Sequence, residues 1–556
     1  MSKPLKITLI ILTSLAALAI VGVGAYRYAE HRYHVKQQEK MRFYGHLGDF
    51  YDTRGNLIVS TERLYGRYLD CLVVEDEEEW KQKTLALAPG LASLFPERSA
   101  AEWWEYLQEG RRLGKSYLPI AKGLSKQQED SLEALPLFNE SPFRGGGIIE
   151  SYLQRTYLYD SLARRTLGYV KGDIAVGIEG KYNKLFPGWK NDHARDLRLT
   201  LDMSLQQVAD SALRAAMGDD THLQAGCVVV MDVRSGAIRA MVNLSRGIPS
   251  HEHPRLWERY NDAIAHLYEP GEVLQTMVLA SALRDRNLHS LDETIPTHHG
   301  ELKHYQADPR IREYEVENNA TDISVLKGFC LSSPYVMAYL TTRHYDVSRR
   351  YYVESVRNYC LPADIDLDIE GLRPVDITNP DGYYWTHSTL ASLANGFSLV
   401  MAPLDILSFY NTIANKGTMV KPFLVEAVGD SLVSPVILKE DVIPPFVADT
   451  LTRALRQVVL DGTAVRLKKA RYPVAGKTGT ASQIIKPYDE KGLAPDPYHD
   501  KDGRHSTAAT FAGFFPTDDP QYSIICVIYS NPCEKTYFGG GLPTQVVLDV
   551  VNSTEF

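Results

Sequence analysis

Near the end of the chain, Val474-Ala475-Gly476-Lys477-Thr478-Gly479-Thr480-Ala481 brings together a cation, two hydroxyls and two glycines in an extended run. On an edge strand this set could hold a carboxylate. The backbone gives hydrogen bonds to an extended peptide, and Lys477, Thr478 and Thr480 supply an ammonium and hydroxyls. Gly479, without a Cβ, lets another backbone lie close. A second pattern of chemical interest is Ser324-Val325-Leu326-Lys327. One helical turn places a hydroxyl beside an amine there, which is the requirement for an activated nucleophile. The same pattern is also an ordinary capped helix start, and that is the expectation here. Other site chemistries have no support. No metal-ligand cluster and no C-x-x-C pair occurs among Cys71, Cys227, Cys330, Cys360, Cys526 and Cys533. The triplet Gly145-Gly146-Gly147 lacks the Lys-Ser/Thr of a phosphate cradle and reads as a loop.

The elements that must position these residues can be read from periodicity. Asp196–Asp202 alternates as a strand, and Met203–Met217 has an amphipathic helical pattern. Gly226–Val233 is a buried strand that turns at Arg234-Ser235-Gly236 into a partner, Ala237–Leu244. Helices are expected at about 272–284, 325–342, 388–397, 403–416 and 447–460, and strands at about 472–482, 508–515 and 522–529. Strands at both ends with a helical middle predict an α+β domain whose sheet pairs the two ends. Further upstream, Gly48–Ser60 reads as strand, turn, strand, and helical patches fall at Ala101–Glu109 and Ser125–Ala134. Residues 483–506, rich in Lys, Asp, Pro and Gly, read as a surface loop.

The Lys477-Thr478-Gly479 strand resembles that of penicillin-binding proteins and serine β-lactamases. Other segments follow the order of the class B penicillin-binding proteins, the peptidoglycan D,D-transpeptidase family. Arg259-Tyr260-Asn261-Asp262-Ala263 and Tyr268-Glu269-Pro270-Gly271 resemble the lead-in to its nucleophile helix. Ala394-Asn395-Gly396, Gly462-Thr463-Ala464 and Tyr537-Phe538-Gly539-Gly540 continue the series. Tyr51-Asp52 with Arg54-Gly55-Asn56, Leu167-Gly168-Tyr169-Val170 and Gly177-Ile178-Glu179-Gly180 resemble the family's pedestal. The resemblance implies a pedestal and linker over 26–200 and a transpeptidase-like domain over 201–556. It implies no cofactor, and Lys477, Thr478, Gly479 and Thr480 as substrate-binding residues.

The chemical groups depart from the family pattern. After Glu-Pro-Gly the family has Ser-x-x-Lys, nucleophile and proton acceptor; here Glu272-Val273-Leu274-Gln275 follows. The second motif, Ser-x-Asn in the family, is Ser332-Ser333-Pro334, which keeps the hydroxyl and loses the amide. The catalytic set is therefore not intact at Glu272, Gln275 and Pro334, with Ser332 retained. A carboxylate at position 272 is expected to face Lys477 and pair with it at ~4 Å.

Ile7–Ala25 carries no charge, and its nineteen residues span about 28 Å as a helix, close to the ~30 Å hydrocarbon core. It is expected to be an uncleaved anchor preceded by a short tail, residues 1–6. Lys3 and Lys6 lie before it and Arg27, Arg32, Lys36 and Lys40 after it, a balance slightly against export of the bulk. The chain has 556 residues, with 60 Lys+Arg against 69 Asp+Glu and a net charge of -9, which excludes a general nucleic-acid binder. The resemblance implies an inner-membrane, single-pass protein with its bulk extracytoplasmic. Its implied partners are a polytopic glycosyltransferase, division or elongation proteins and the peptidoglycan stem peptide. The residues imply a homologue that has lost catalysis and serves as scaffold or regulator. The alternatives are an active transpeptidase with another nucleophile and a non-covalent sensor of β-lactam or stem peptide.

Overall fold

The structure is a computed structural model that describes residues 48–171, 173–185, 196–247, 255–485 and 496–555. The expected anchor, residues 7–25, and the basic stretch 26–45 lie outside them. Among the described residues no helix is long and apolar enough to cross a membrane. The described chain forms two compact units, one over residues 59–158 and the other over 50–58, 159–185 and 196–555.

In the first unit, a long strand β1 (Leu57–Leu69, in this unit from Val59) pairs antiparallel with β2 (Leu118–Leu124) and β3 (Gly147–Tyr157). Helices α1 (Glu77–Leu94), α2 (Ala100–Arg112) and α3 (Lys126–Glu133) start where local chemistry dictates. Asp76 caps α1, accepting from the Glu79 amide at 2.8 Å. Ser99 with Glu102, and Ser125 with Gln128, form reciprocal capping boxes that satisfy orphan amides of α2 and α3. Trp80, Leu87, Leu91, Trp103 and Leu107 fill the core. The triplet expected to be a loop is instead a helix-to-strand junction: Gly145 ends a short helix, Pro142–Gly145, Gly147 begins β3, and Gly146 between them takes a left-handed conformation, where an added Cβ would lie 2.4 Å from the Asp70 carbonyl oxygen.

The second unit is built on a six-stranded antiparallel sheet. Its strands are β4 (Leu223–Asp232), β5 (Ile238–Arg246), β6 (Leu256–Trp257), β7 (Ala475–Gln483), β8 (Ser506–Phe515) and β9 (Tyr522–Ser530). Their order is β6-β5-β4-β9-β8-β7, so β9 joins the two ends of the chain, with Ile525 opposite Val229, and β7 forms one edge. All ten residues of β8 are buried. Helix α4 (Met203–Met217) packs on the last helix, α10 (Leu542–Ser553), and α10 and α8 (Pro403–Ala414) each pack on β8 and β9. Helix α9 (Pro445–Asp461) lies against β7.

Three details of the helical middle differ from the sequence reading; in one, the helix expected at 388–397 covers only Thr389–Leu393. The stretch 272–284 begins as a 3-10 turn, Gly271–Leu274, before α5 (Gln275–Arg284). The stretch 325–342 is two helices, α6 (Val325–Cys330) and α7 (Pro334–Tyr345). Ser332 between them has φ 55°, and Pro334, without an N–H, fits only the first turn of a new helix.

Candidate active-site groove

Three elements converge beside the edge strand β7: the Gly271–Leu274 turn, the α6–α7 junction and the start of a helix at Pro309–Asn318. The turn is pressed onto the strand. Gly271 has φ 65°, and a Cβ there would sit 3.1 Å from the Thr480 backbone. Gly396 backs the turn with no room at all, because an added Cβ would lie 2.1 Å from the Gly271 carbonyl oxygen. Gly479 serves the same approach: its missing Cβ would lie 2.6 Å from the Pro270 carbonyl oxygen and 3.1 Å from Val273 Cγ1. The sequence reading had Gly479 making room for a substrate. What lies against it is the protein's own turn.

That turn aims Glu272 at the strand. Glu272 Oε2 accepts a 2.7 Å hydrogen bond from the Thr480 amide, and Oε1 lies 3.8 Å from Arg310 Nη2. The expected Glu272–Lys477 pair is not made. Lys477 is fully buried and donates to Ser332 Oγ at 2.5 Å and to the Thr478 carbonyl at 3.2 Å. A backbone amide and a serine hydroxyl have taken the places the two charges were expected to give each other. Burial pushes the Lys477 pKa down to about 8. The nearby Glu272 charge opposes that shift, and the Arg310 charge adds to it.

A polar chain runs on from Lys477. Ser332 Oγ lies 3.4 Å from Thr463 Oγ1, which lies 2.5 Å from Thr478 Oγ1. Arg310 Nη1 donates to the Ser332 carbonyl at 2.5 Å and the Leu331 carbonyl at 3.1 Å, fixing the strained junction. Glu272, Arg310, Ser332, Thr463, Thr478 and Thr480 line one groove of about 580 Å³, with Phe397 and Phe538 as its apolar flanks.

Gln275 lies behind this surface. It is fully buried; its Nε2 donates to Asn395 Oδ1 at 2.9 Å and the Ser333 carbonyl at 3.4 Å, and its Oε1 has no hydrogen-bond partner. Pro334 presents its carbonyl to Asn395 Nδ2 at 3.0 Å. Ser333 caps α7 and donates to Asp308 Oδ2 at 2.6 Å. Thr480 Oγ1 accepts from the Gly539 amide at 3.0 Å. Ser324 is the cap of α6, accepting from the Lys327 amide at 3.1 Å, while Lys327 Nζ reaches Asp461 at 3.2 Å. That pattern is a helix start.

Arg310 and the hydroxyl of Thr463 were not singled out as site residues from the sequence. Arg310 sits on a helix, Pro309–Asn318, with one buried residue, Ile311, so no apolar period marks it. Thr463 lay within a quoted segment but carried no assigned role. Among the described residues no group of three or more His, Cys, Asp or Glu could hold a metal.

An α+β sheet with a Lys-Thr-Gly edge strand facing a glycine-backed turn is the architecture of the penicillin-binding-protein fold. The family described as the penicillin binding protein transpeptidase domain matches residues 226–552, and the chain belongs to that family. It is 26% identical over 382 residues to penicillin-binding protein PbpB of Mycolicibacterium smegmatis, covering 64% of this chain and 53% of that protein. Against peptidoglycan D,D-transpeptidase FtsI of Escherichia coli it is 24% identical, covering 64% and 55%. Against stage V sporulation protein D of Bacillus subtilis it is 22% identical, covering 78% and 68%. The chain thus spans just over half the length of the first two. Among solved structures, penicillin-binding protein 2X of Streptococcus thermophilus superposes with TM-score 0.69 at 17% identity, covering 91% of this chain and 78% of that one.

Proposed function

We propose that this protein is a penicillin-binding-protein homologue of peptidoglycan synthesis that has lost serine transpeptidase chemistry. It works as a membrane-anchored scaffold or regulator of a cell-wall synthesis complex. The observation that carries this reading is the Glu272 carboxylate, bonded to the Thr480 amide where the family places its serine. A carboxylate offers no hydroxyl to acylate, and Gln275 at the proton-acceptor position is an amide that takes no proton near neutral pH. Losing one member of a nucleophile–base pair costs on the order of 10⁴ to 10⁶ in rate, and here both are replaced. The kept groove and the Lys477-Thr478-Gly479-Thr480 strand then serve weak, non-covalent binding of a stem peptide, with a polytopic glycosyltransferase and division or elongation proteins as partners of the N-terminal region. The domain division at about residue 200, the anchor at 7–25 and the extracytoplasmic bulk belong to this proposal.

A second reading has one observation in its favour. Ser332 Oγ lies 2.5 Å from Lys477 Nζ, whose lowered pKa suits it to take a proton. In that reading Ser332 is a non-standard nucleophile. Labelling with a fluorescent penicillin, run on a denaturing gel, separates the two. The first reading expects no covalent band. A band that vanishes in Ser332→Ala would replace it with the second.

A further inference from the structure

Strand β7 is the edge of its sheet, and Thr480, in register with Ala509 of β8, turns its N–H away from that neighbour. An outward N–H on an edge strand is what an extended peptide uses to dock. In this protein the N–H is already taken, at 2.7 Å, by a carboxylate 208 residues away in sequence. The contact is built. Gly271, Gly396 and Gly479 each occupy a place where a Cβ would strike backbone, and together they bring the turn close enough for a side chain as short as glutamate to reach. The bond is charge-assisted, so it is stronger than one a neutral peptide carbonyl would make with the same amide.

We propose that Glu272 is an internal ligand of its own groove, occupying the Thr480 amide and excluding the carbonyl or carboxylate of an extended peptide until it is displaced. This rests on the reading above that the groove takes stem peptide. The rest of the groove remains suited to an anionic chain end. Arg310, with its side chain 40% exposed, and the Thr463 and Thr478 hydroxyls all face it. The Glu272 side chain has somewhere to go: Oε1 is already 3.8 Å from Arg310, so release from Thr480 completes an ion pair rather than stranding a charge. The incoming carboxylate and Glu272 compete for the same cation and the same amide. The groove in its resting form therefore discriminates against peptide ends, and binding is weak because it is an exchange of one carboxylate for another.

The test uses the full chain in detergent micelles and two readouts. Hydrogen exchange at the Thr480 amide, read by mass spectrometry with residue-level fragmentation, is expected to be slow in the wild type. It rises at least tenfold in Glu272→Ala and by a smaller factor in Glu272→Gln, whose neutral oxygen still accepts. Binding of the tripeptide diacetyl-Lys-D-Ala-D-Ala, followed by calorimetry, is expected to tighten about tenfold in Glu272→Ala. Melting temperatures within a few degrees of wild type establish that the variants fold, and Glu272→Gln, nearly isosteric, covers the case in which Glu272→Ala does not. Equal exchange at Thr480 in wild type and both variants overturns the proposal, as does equal tripeptide affinity. Exchange that rises as expected with no tripeptide binding by any variant leaves the internal contact standing and sinks the peptide-binding reading instead.

Discussion

The two walls of the groove have been treated differently. On one side, β7 turns Thr478 and Thr480 to the groove with Lys477 buried beside them, in the order that resembles the family, held in register with β8 along its whole length. On the other, the Gly271–Leu274 turn keeps its glycine-backed geometry but carries a carboxylate and leads to an amide at Gln275. Both walls hold a tightly fixed backbone, and they differ in the side chains they carry. Gly271, Gly396 and Gly479 fix the turn's position against the strand, because a Cβ at any of them would press on backbone.

The largest effect expected from reversing this contrast is gained reactivity. Glu272→Ser, Gln275→Lys and Pro334→Asn together should restore covalent penicillin labelling, at least ~10³-fold over the unmodified chain in rate. The Gln275 pocket favours this, because the acceptors of its Nε2, Asn395 Oδ1 and the Ser333 carbonyl, suit an ammonium equally well. A folded triple variant with no covalent band would show that the groove itself has moved away from the productive geometry. Next in size is Gly396→Ala. With φ 78° and the Gly271 oxygen 2.1 Å from its Cβ, the substitution should cost about 3 kcal/mol or more in chemical denaturation. A loss under 1 kcal/mol would mean that the turn is not clamped.

Lys477 gives a pH test of the intact wall. Its folded pKa, about 8, lies below the ordinary lysine value of 10.5, so between these values the unfolded chain holds more protons than the folded one. Stability at that site therefore rises as pH climbs from about 8 to 10.5, and the penalty is present in full below 8. The difference in unfolding free energy between wild type and Lys477→Met should change by roughly 2–3 kcal/mol across that window. A flat difference would place the ammonium in contact with water. The smallest effect is expected outside the groove: Ser324→Ala should cost ~1 kcal/mol as a lost helix cap and leave penicillin behaviour unchanged.

What the sequence made legible follows from burial. The strands at the sheet centre, β4 and β9, and the helices α8 and α9 packed on the sheet carry long apolar runs or clean periods and match the expected spans closely. The helix at Pro309–Asn318 has little apolar pattern to read, and Arg310 went unseen with it. The partners of Glu272 and Lys477 were misassigned for a related reason. Pairing opposite charges is a rule that sequence can supply, whereas the Thr480 N–H that holds Glu272 is a backbone group and the Ser332 hydroxyl that holds Lys477 sits at a helix junction, and both are in place only once the turn, the strand and that junction are folded.

All six cysteines are free and buried, and burial lifts the Cys71 thiol to about 12 and the Cys330 thiol to about 11. At those two sites thiolate, the reactive form, is scarce, and burial keeps oxidants and alkylating reagents away from all six. That silence has an experimental use. A single cysteine placed at position 272 would stand out against an unreactive background, so its rate of alkylation would report directly how open the groove is.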